Sequence, residues 1–387
     1  MSEYQLVAFQ AVDAPLNDEQ LEFAEQQSSR AEVTRWSLTC EYDYSSFRGD
    51  VDGLLRHGYD VYLQYTDYGC REIRLRLPRG LPFAKSVWSK YVGDEQLSWN
   101  RDAKGSGGIL TVCPCHDSGT IDEVWEYEAY LDEAIWMRDR LLKGDLRALY
   151  VLWLCAANDD NFDPPELIEP PVPHGIAAIA KHCEQLLSFF GLDPLVLLAA
   201  GEDLPDAPPE GDRNPVAQWL DTLDEQAAKE QLRRLLDGDT ASEKARILAE
   251  IRDAAAPADW PTSDKQRSLD ELLQRTAALR ALEDKKQARE ALLKAQRDAE
   301  KAKRQRAQRL KAMAKDPAKW LAEAERLADA RGTLNYKAAA ETLCDLREAI
   351  GGTEGDQLAR RHAAKLMKKY PSLNHLKAAL RKRGLLE

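Results

Sequence analysis

Cys113-Pro114-Cys115-His116 is the densest group of metal-ligating side chains in the sequence. Two residues apart on a strand, Cys113 and Cys115 would point to one face, where their thiolates could meet a third from Cys40 or Cys70 in neighbouring β segments. The competing reading makes these cysteines small apolar residues filling the sheet, and the isolated placing of Cys40 and Cys70 favours it. Asp159, Asn161 and Asp163 mimic the start of a calcium loop. Pro164 stands where the sharp turn needs Gly, and Pro170 where the bidentate Glu belongs, so a solvated acidic loop is expected. Lys104-Gly-Ser-Gly-Gly108 is glycine-rich but opens no helix whose amides could cradle phosphate, and reads as a hairpin turn. His116-Asp117 with His57 lies in a strand-rich stretch, unlike a phosphohydrolase centre built on packed helices, and Arg48-Gly-Asp50 reads as a helix start. No Ser/His/Asp or Cys/His assignment follows from residue order, and no cofactor is expected.

Charge carries the other signal. Residues 1–300 hold 33 Lys+Arg against 56 Asp+Glu, whereas residues 301–387 hold 21 against 10. The reversal is abrupt: residues 251–300 are balanced at 10 and 10, and positive charge begins at Lys301. Lys301, Lys303, Arg304, Arg306, Arg309, Lys311, Lys315 and Lys319 then fall in one short stretch with Asp316 as their only carboxylate. Lys365, Lys368, Lys369, Lys377, Arg381, Lys382 and Arg383 form a second group. Such groups bind phosphates through salt-sensitive contacts. Trp320, Tyr336 and Tyr370 are the few aromatics nearby, so base stacking on single strands is not indicated.

The elements that must position these residues follow from periodicity. Tyr4–Val12 alternates like a half-buried strand, a helix capped by Asn17 or Asp18 follows, and Val33–Tyr44 is a second β run. Ser46–His57 reads as a helix stopped by Gly58. Asp60–Tyr65 and Arg71–Leu77 form a hairpin around Asp67-Tyr68-Gly69, and Leu97–Asn100 with Ile109–Cys113 form another. An α+β domain is expected over residues 1–118, a mixed or antiparallel sheet with helices on one face.

Beyond residue 118 the strand signals stop. Ile121–Lys143, with Trp125, Leu131, Ile135 and Trp136, then Leu146–Ala157, Ile176–Phe190, Val216–Asp237 and Ala241–Ala255 read as helices of a domain over 119–262 interrupted by Pro-rich loops. Ser268-Leu-Asp-Glu271 has capping-box spacing, and no Gly or Pro interrupts the chain from there to Lys315. That predicts one long charged helix in 263–315, about 70 Å if continuous, with a thin apolar stripe of Ala288, Leu292, Ala295, Ala299, Ala302, Leu310 and Met313. Asp316-Pro317 restarts a helix, and breaks at Gly332, Gly351, Pro371 and Gly384 divide 316–387 into a small basic bundle.

Composition bounds the remainder. With 387 residues, 44% hydrophobic content, nine Trp and a mean hydropathy of −0.54, the chain can build two or three cores rich in charged helices. Seven scattered cysteines do not form a disulfide framework. The N-terminus lacks a basic segment ahead of an apolar one, and Leu149–Ala157 is too short to span a bilayer, so a soluble cytoplasmic chain away from membranes is expected.

Two stretches give the chain a resemblance to a family of bacterial proteins with no assigned activity. One is Phe9-Gln-Ala-Val-Asp13 with Leu16, Ser28-Ser-Arg30 and Tyr44…Phe47-Arg-Gly-Asp50; the other is Leu149-Tyr-Val-Leu-Trp-Leu154 with Glu169-Pro-Pro-Val-Pro173. The tail, Tyr336-Lys-Ala-Ala-Ala340 with Leu343, Leu346-Arg347, Leu373 and Leu380, resembles helical tails of bacterial SWIM-containing proteins. Cys113-Pro-Cys115 resembles the first half of the SWIM zinc motif, but Cys155, Cys183 and Cys344 all lack a His two residues on, so that motif is absent. The resemblance implies no reaction and no catalytic residue.

The function expected from these observations is a non-catalytic accessory protein. Its acidic body would dock a protein partner, and Lys301, Lys303, Arg304, Arg306, Arg309, Lys311, Lys315, Lys368, Lys369, Arg381, Lys382 and Arg383 would contact nucleic acid. Two alternatives stand beside it: a metal-dependent enzyme or zinc module at Cys113, Cys115 and His116, and a scaffold self-associating as a coiled coil through the long helix.

Overall fold

The computed structural model describes residues 4–386 apart from 68, 70, 94, 117–120, 122–126, 209–214, 238–242, 245, 248–249 and 252–258. Cys70, Asp117, Trp125 and most of the expected Ala241–Ala255 helix therefore lie outside the described residues. The chain divides into two compact units, residues 1–282 and 283–387.

The first unit is organised by a seven-stranded antiparallel sheet in the order β2-β3-β1-β4-β5-β7-β6. Its strands are β1 (Tyr4–Gln10), β2 (Glu32–Val33), β3 (Ser37–Asp43), β4 (Val61–Thr66), β5 (Arg71–Leu77), β6 (Leu97–Arg101) and β7 (Gly108–Val112). Both expected hairpins are present, with Val61 opposite Leu75 and Trp99 opposite Leu110. A side chain at Gly108 would strike the Asn100 carbonyl and the Trp99 ring, which is why the glycine-rich turn ends there.

Helices cover both faces of this sheet, not one. Val7, Phe9, Leu38, Tyr62 and Ile109 pack under α1 (Asp18–Glu25) and α2 (Val51–His57). Leu6, Leu63, Ile73, Leu75, Leu110 and Val112 pack under α4 (Tyr127–Leu142) and α5 (Leu146–Ala157), beyond the short α3 (Lys85–Trp88). β1 is thus buried on both sides through Gln5–Phe9 rather than half-buried, because it lies centrally between two helical layers. The α1 start is a capping box: the Asn17 side chain accepts from the Gln20 amide, while the Gln20 side chain accepts from the Asn17 amide. Asp50 caps α2 through the Gly53 amide, so Ser46–Gly49 lead into the helix without belonging to it.

The core of that second face runs on past residue 118 without a break. It takes in α5, α6 (Glu184–Phe189), α7 (Val196–Ala200), and Leu269 and Leu272 at the start of the long helix. The expected Ile176–Phe190 helix is split into a 3₁₀ segment over Ile176–His182 and α6. Helices α8 (Pro215–Thr222) and α9 (Glu225–Asp237) follow, and a short β8–β9 pair joins Val172–Pro173 to Thr262–Ser263. No described helix is long and apolar enough to cross a membrane.

Two buried ion clusters fasten these layers. Arg138 on α4 is 1% exposed and donates to the Arg76 carbonyl at 2.7 Å, Asp13 Oδ2 at 2.7 Å and Asp60 Oδ1 at 2.6 Å. Asp60 also accepts the Val12 and Asp13 amides, so α4 is tied to the ends of β1, β4 and β5. Burial raises the Asp60 carboxyl above its usual range despite the guanidinium beside it. Further along, the buried Glu169 accepts the Tyr150 hydroxyl and a two-pronged Arg267 contact at 2.9 Å on each oxygen, while Arg267 also reaches the Ala199 carbonyl. This fixes the backbone just ahead of the Ser268 cap of the long helix.

That helix is α10 (Leu269–Lys315), unbroken over 47 residues and opened by the expected box, with Ser268 and Glu271 bonding each other's amides. The unit boundary falls inside it. In the second unit, α11 (Pro317–Asp329), α12 (Thr333–Ile350), α13 (Gly352–Lys369) and α14 (Asn374–Lys382) form the expected bundle. Asp316 caps α11 with Pro317 at the first turn. Ala328, Tyr336, Ala339, Leu343, Ala363, Leu366, Leu376 and Leu380 make its core. His362 on α13 has a buried Nε2 with no hydrogen-bond partner among the described residues, and burial together with the charge of Lys365 holds its pKa below the ordinary imidazole value.

Two expectations follow. Arg138→Met leaves the buried Asp60 carboxylate without its guanidinium, beside the half-buried Asp13, and should cost about 3–5 kcal/mol, read as a lowered urea midpoint by tryptophan fluorescence; a loss under about 1 kcal/mol would mean the cluster does not fasten the layers. For His362 the sign is set by a folded-state pKa below the unfolded one: the unfolded chain takes the proton first, so this contribution is intact above about pH 6.5 and is lost as pH falls through the folded pKa. His362→Gln should flatten the thermal-stability profile of the protein between about pH 7 and 5, and an equally steep profile in the variant would place that dependence elsewhere.

Candidate nucleic-acid interface

The basic residues singled out by the sequence are all exposed, but they fall into two electrostatic classes. The first class is neutralised within the second unit. Arg306 Nη2 donates to Glu348 Oε2 at 2.6 Å and lies 3.9 Å from Asp345, while Arg309 lies 3.4 Å from the other oxygen of Asp345 and 5.7 Å above the Trp320 ring. Met313, one helical turn further along this face, is fully buried. Lys369 bridges Glu325 at 2.7 Å and Asp329 at 3.3 Å, and holds the Glu325 carboxyl below its usual range. Arg383 pairs with Glu341 at 3.3 Å.

The second class has no ion pair among the described residues: Lys301, Lys303, Arg304, Lys311, Lys315, Lys368 and Lys382. Five cations of α10 fall on one face. Arg297, Lys301, Arg304, Lys311 and Lys315 are spaced four, three, seven and four residues apart, with Gln308 completing the row. At about 100° per residue they occupy an arc of about 80°, centred opposite Arg306 and Met313, and run for about 27 Å. Glu300, at the edge of the arc, is the only carboxylate within a quarter turn of its centre from residue 294 to 315. Lys303 lies to one side. The anchoring of Arg306 and Arg309 to α12 is what turns this row outward.

Arg297 was not among the residues expected from charge counting. In the sequence it lies in a stretch balanced by Asp298 and Glu300; its signal is the four-residue step to Lys301, visible only when charge is sorted by helix face. The second basic group forms a separate patch, where Arg361, Lys365 and Lys368 border a shallow groove floored by Ala364, Met367, Pro371 and Leu386. Arg381 is exposed on α14.

The cysteine cluster is arranged differently from a zinc centre. Cys113 and Cys115 lie past the end of β7 and are exposed, neither on a strand face nor filling the sheet, whereas Cys40 is buried beside Tyr42. The Cys115 amide donates to Asp159 at 2.6 Å, and His116 Nδ1 lies 2.7 Å from Asp160 Oδ1. Among the described residues no three His, Cys, Asp or Glu side chains converge on a metal position. Asp159 also accepts the Asn161 amide, so this carboxylate pins the loop's backbone. His57 bonds the Gly53 carbonyl and stacks on Phe23 at 4.4 Å, as part of α2's packing.

Set against protein-family models, curated proteins and solved structures, the chain matches none. The division of its basic residues therefore rests on geometry, and it has a measurable consequence. Asp345→Ala should lower thermal stability by an amount equivalent to about 1 kcal/mol, because two arginines lose one partner, whereas Lys301→Ala and Lys311→Ala should each stay within about 0.5 kcal/mol of the parent. Equal losses in all three variants would show that the two classes are not distinct.

Proposed function

We propose that this is a non-catalytic accessory protein whose basic unit binds nucleic acid through phosphate contacts. The observation that carries the reading is the row of five cations on one face of α10, left without ion pairs while Arg306, Arg309, Lys369 and Arg383 are neutralised. Cations held on one rigid face can contact successive phosphates without first breaking internal pairs. Sign supports the same division of labour: residues 283–387 carry 26 basic against 15 acidic side chains, and residues 1–282 carry 28 against 51. The acidic unit repels phosphate and is the half suited to a protein partner. Supporting that role, α9 buries none of its described residues and exposes Leu232 and Leu236 to solvent.

A second reading, self-association through the long helix, draws on Leu282, Leu292 and Leu293 of α10, each at least 44% exposed. Molar mass by light scattering tests it, and a monomer at about ten times the working concentration removes it.

For the leading reading, the full-length protein should bind fluorescein-labelled nucleic acid in an anisotropy titration at about 50 mM salt. With about five phosphates neutralised, affinity should fall by about 500-fold on going to about 200 mM. Absence of binding to both DNA and RNA at the lower salt would overturn the proposal.

A further inference from the structure

Resting on that reading, we infer that the α10 row is built for double-stranded nucleic acid, gripped by its phosphates without reading base sequence. The row Arg297, Lys301, Arg304, Lys311 and Lys315 belongs to one uninterrupted helix, so its charges hold a fixed spacing along about 27 Å. A duplex offers an equally fixed array, with phosphates every 3.4 Å or so along each strand, so the row matches about eight base pairs of axis. A single strand must first be ordered to lie along such a row, which costs conformational entropy in the bound nucleotides. Single-strand binders offset that cost by stacking bases on aromatic rings. Here the sequence contains no Phe, Tyr, Trp or His between Trp260 and Trp320.

The opposite face of the helix settles how a duplex can be approached. Arg306 and Arg309 are held by Glu348 and Asp345 of α12, and Met313 is buried. Around residues 306–313 one face of the helix is thus committed to α12, so base edges cannot surround the helix there, while the cationic face opposite is exposed. Lys and Arg side chains spread along such a face suit phosphates, whose contacts position a duplex and carry no sequence information. Gln308 is the only uncharged amide in the row.

The test uses full-length protein, two 30-base-pair DNA duplexes of unrelated sequence, a 30-nucleotide single strand and poly-glutamate as an acidic competitor. The duplexes should bind at least about tenfold more tightly than the single strand and within about threefold of each other. Arg304→Gln/Lys311→Gln, which alters only exposed side chains without ion pairs, should leave the circular-dichroism melt unchanged and lower the salt slope for duplex by about two. A single strand bound as tightly as duplex overturns the inference and leaves nucleic-acid binding standing, whereas no binding to any of the three overturns both. An unchanged salt slope in the double variant places the contact elsewhere, for example at Arg361, Lys365 and Lys368. Displacement of duplex by poly-glutamate at equal charge makes the face a site for acidic protein and also overturns the inference.

Discussion

A helix has one rotational freedom about its axis, and docking any one face spends it. In α10 that docking is done by Asp345, which receives Arg306 and Arg309, with Glu348 beside it and Met313 buried on the same face. Once those residues face α12, the 3.6-residue period sends Arg297, Lys301, Arg304, Lys311 and Lys315 to the opposite side. The unpaired basic row is thus a geometric consequence of the paired one. Charges that look uniform along the sequence become two populations, one holding the bundle and one facing outward.

The same logic of faces governs the acidic unit. A strand has two faces, and β1 must present apolar residues to both because helices cover both. Three layers leave charged groups inside wherever helix and strand ends meet, and there Arg138 closes on Asp13 and Asp60, while Arg267 and the Tyr150 hydroxyl both close on Glu169. Such clusters do not make a fold stable by themselves, since desolvation offsets much of the attraction. They do make one arrangement of the layers far better than its neighbours, because any shift strands a buried charge. The acidic excess of this unit is otherwise carried outside, where it disfavours the approach of polyanions.

Local signals in the sequence were reliable where the physics is local. The capping pairs Asn17/Gln20 and Ser268/Glu271 and the Asp316-Pro317 restart all mark helix starts, since each satisfies backbone donors within its own first turn. Turn-forming glycines placed both hairpins. Legibility fell where burial decided the outcome. The alternation of Tyr4–Val12 predicts a strand but not that both its faces would be covered, and the cysteines near residue 113 read as strand residues although the strand ends one residue earlier. Ser46–Gly49 continue a helical pattern, yet Asp50 captures the Gly53 amide and starts the helix later.

Local spacing along the chain decided most element types, the length of α10, the helical bundle after it and the abrupt change of charge sign near Lys301, but not the 3₁₀ turn over Ile176–His182 or the β8–β9 pair. Those it decided depend on residues a few positions apart, whose spacing is fixed by covalent geometry and helix period. It could not determine which basic residues stay unpaired, that Arg297 belongs with them, or that Cys113 and Cys115 lie beyond the strand in exposed positions. Those outcomes depend on partners distant in the chain: Asp345 and Glu348 for the arginines, Asp159 for the Cys115 amide. Pairing across such separations is decided by tertiary packing, because only the folded chain brings the charges within reach of one another.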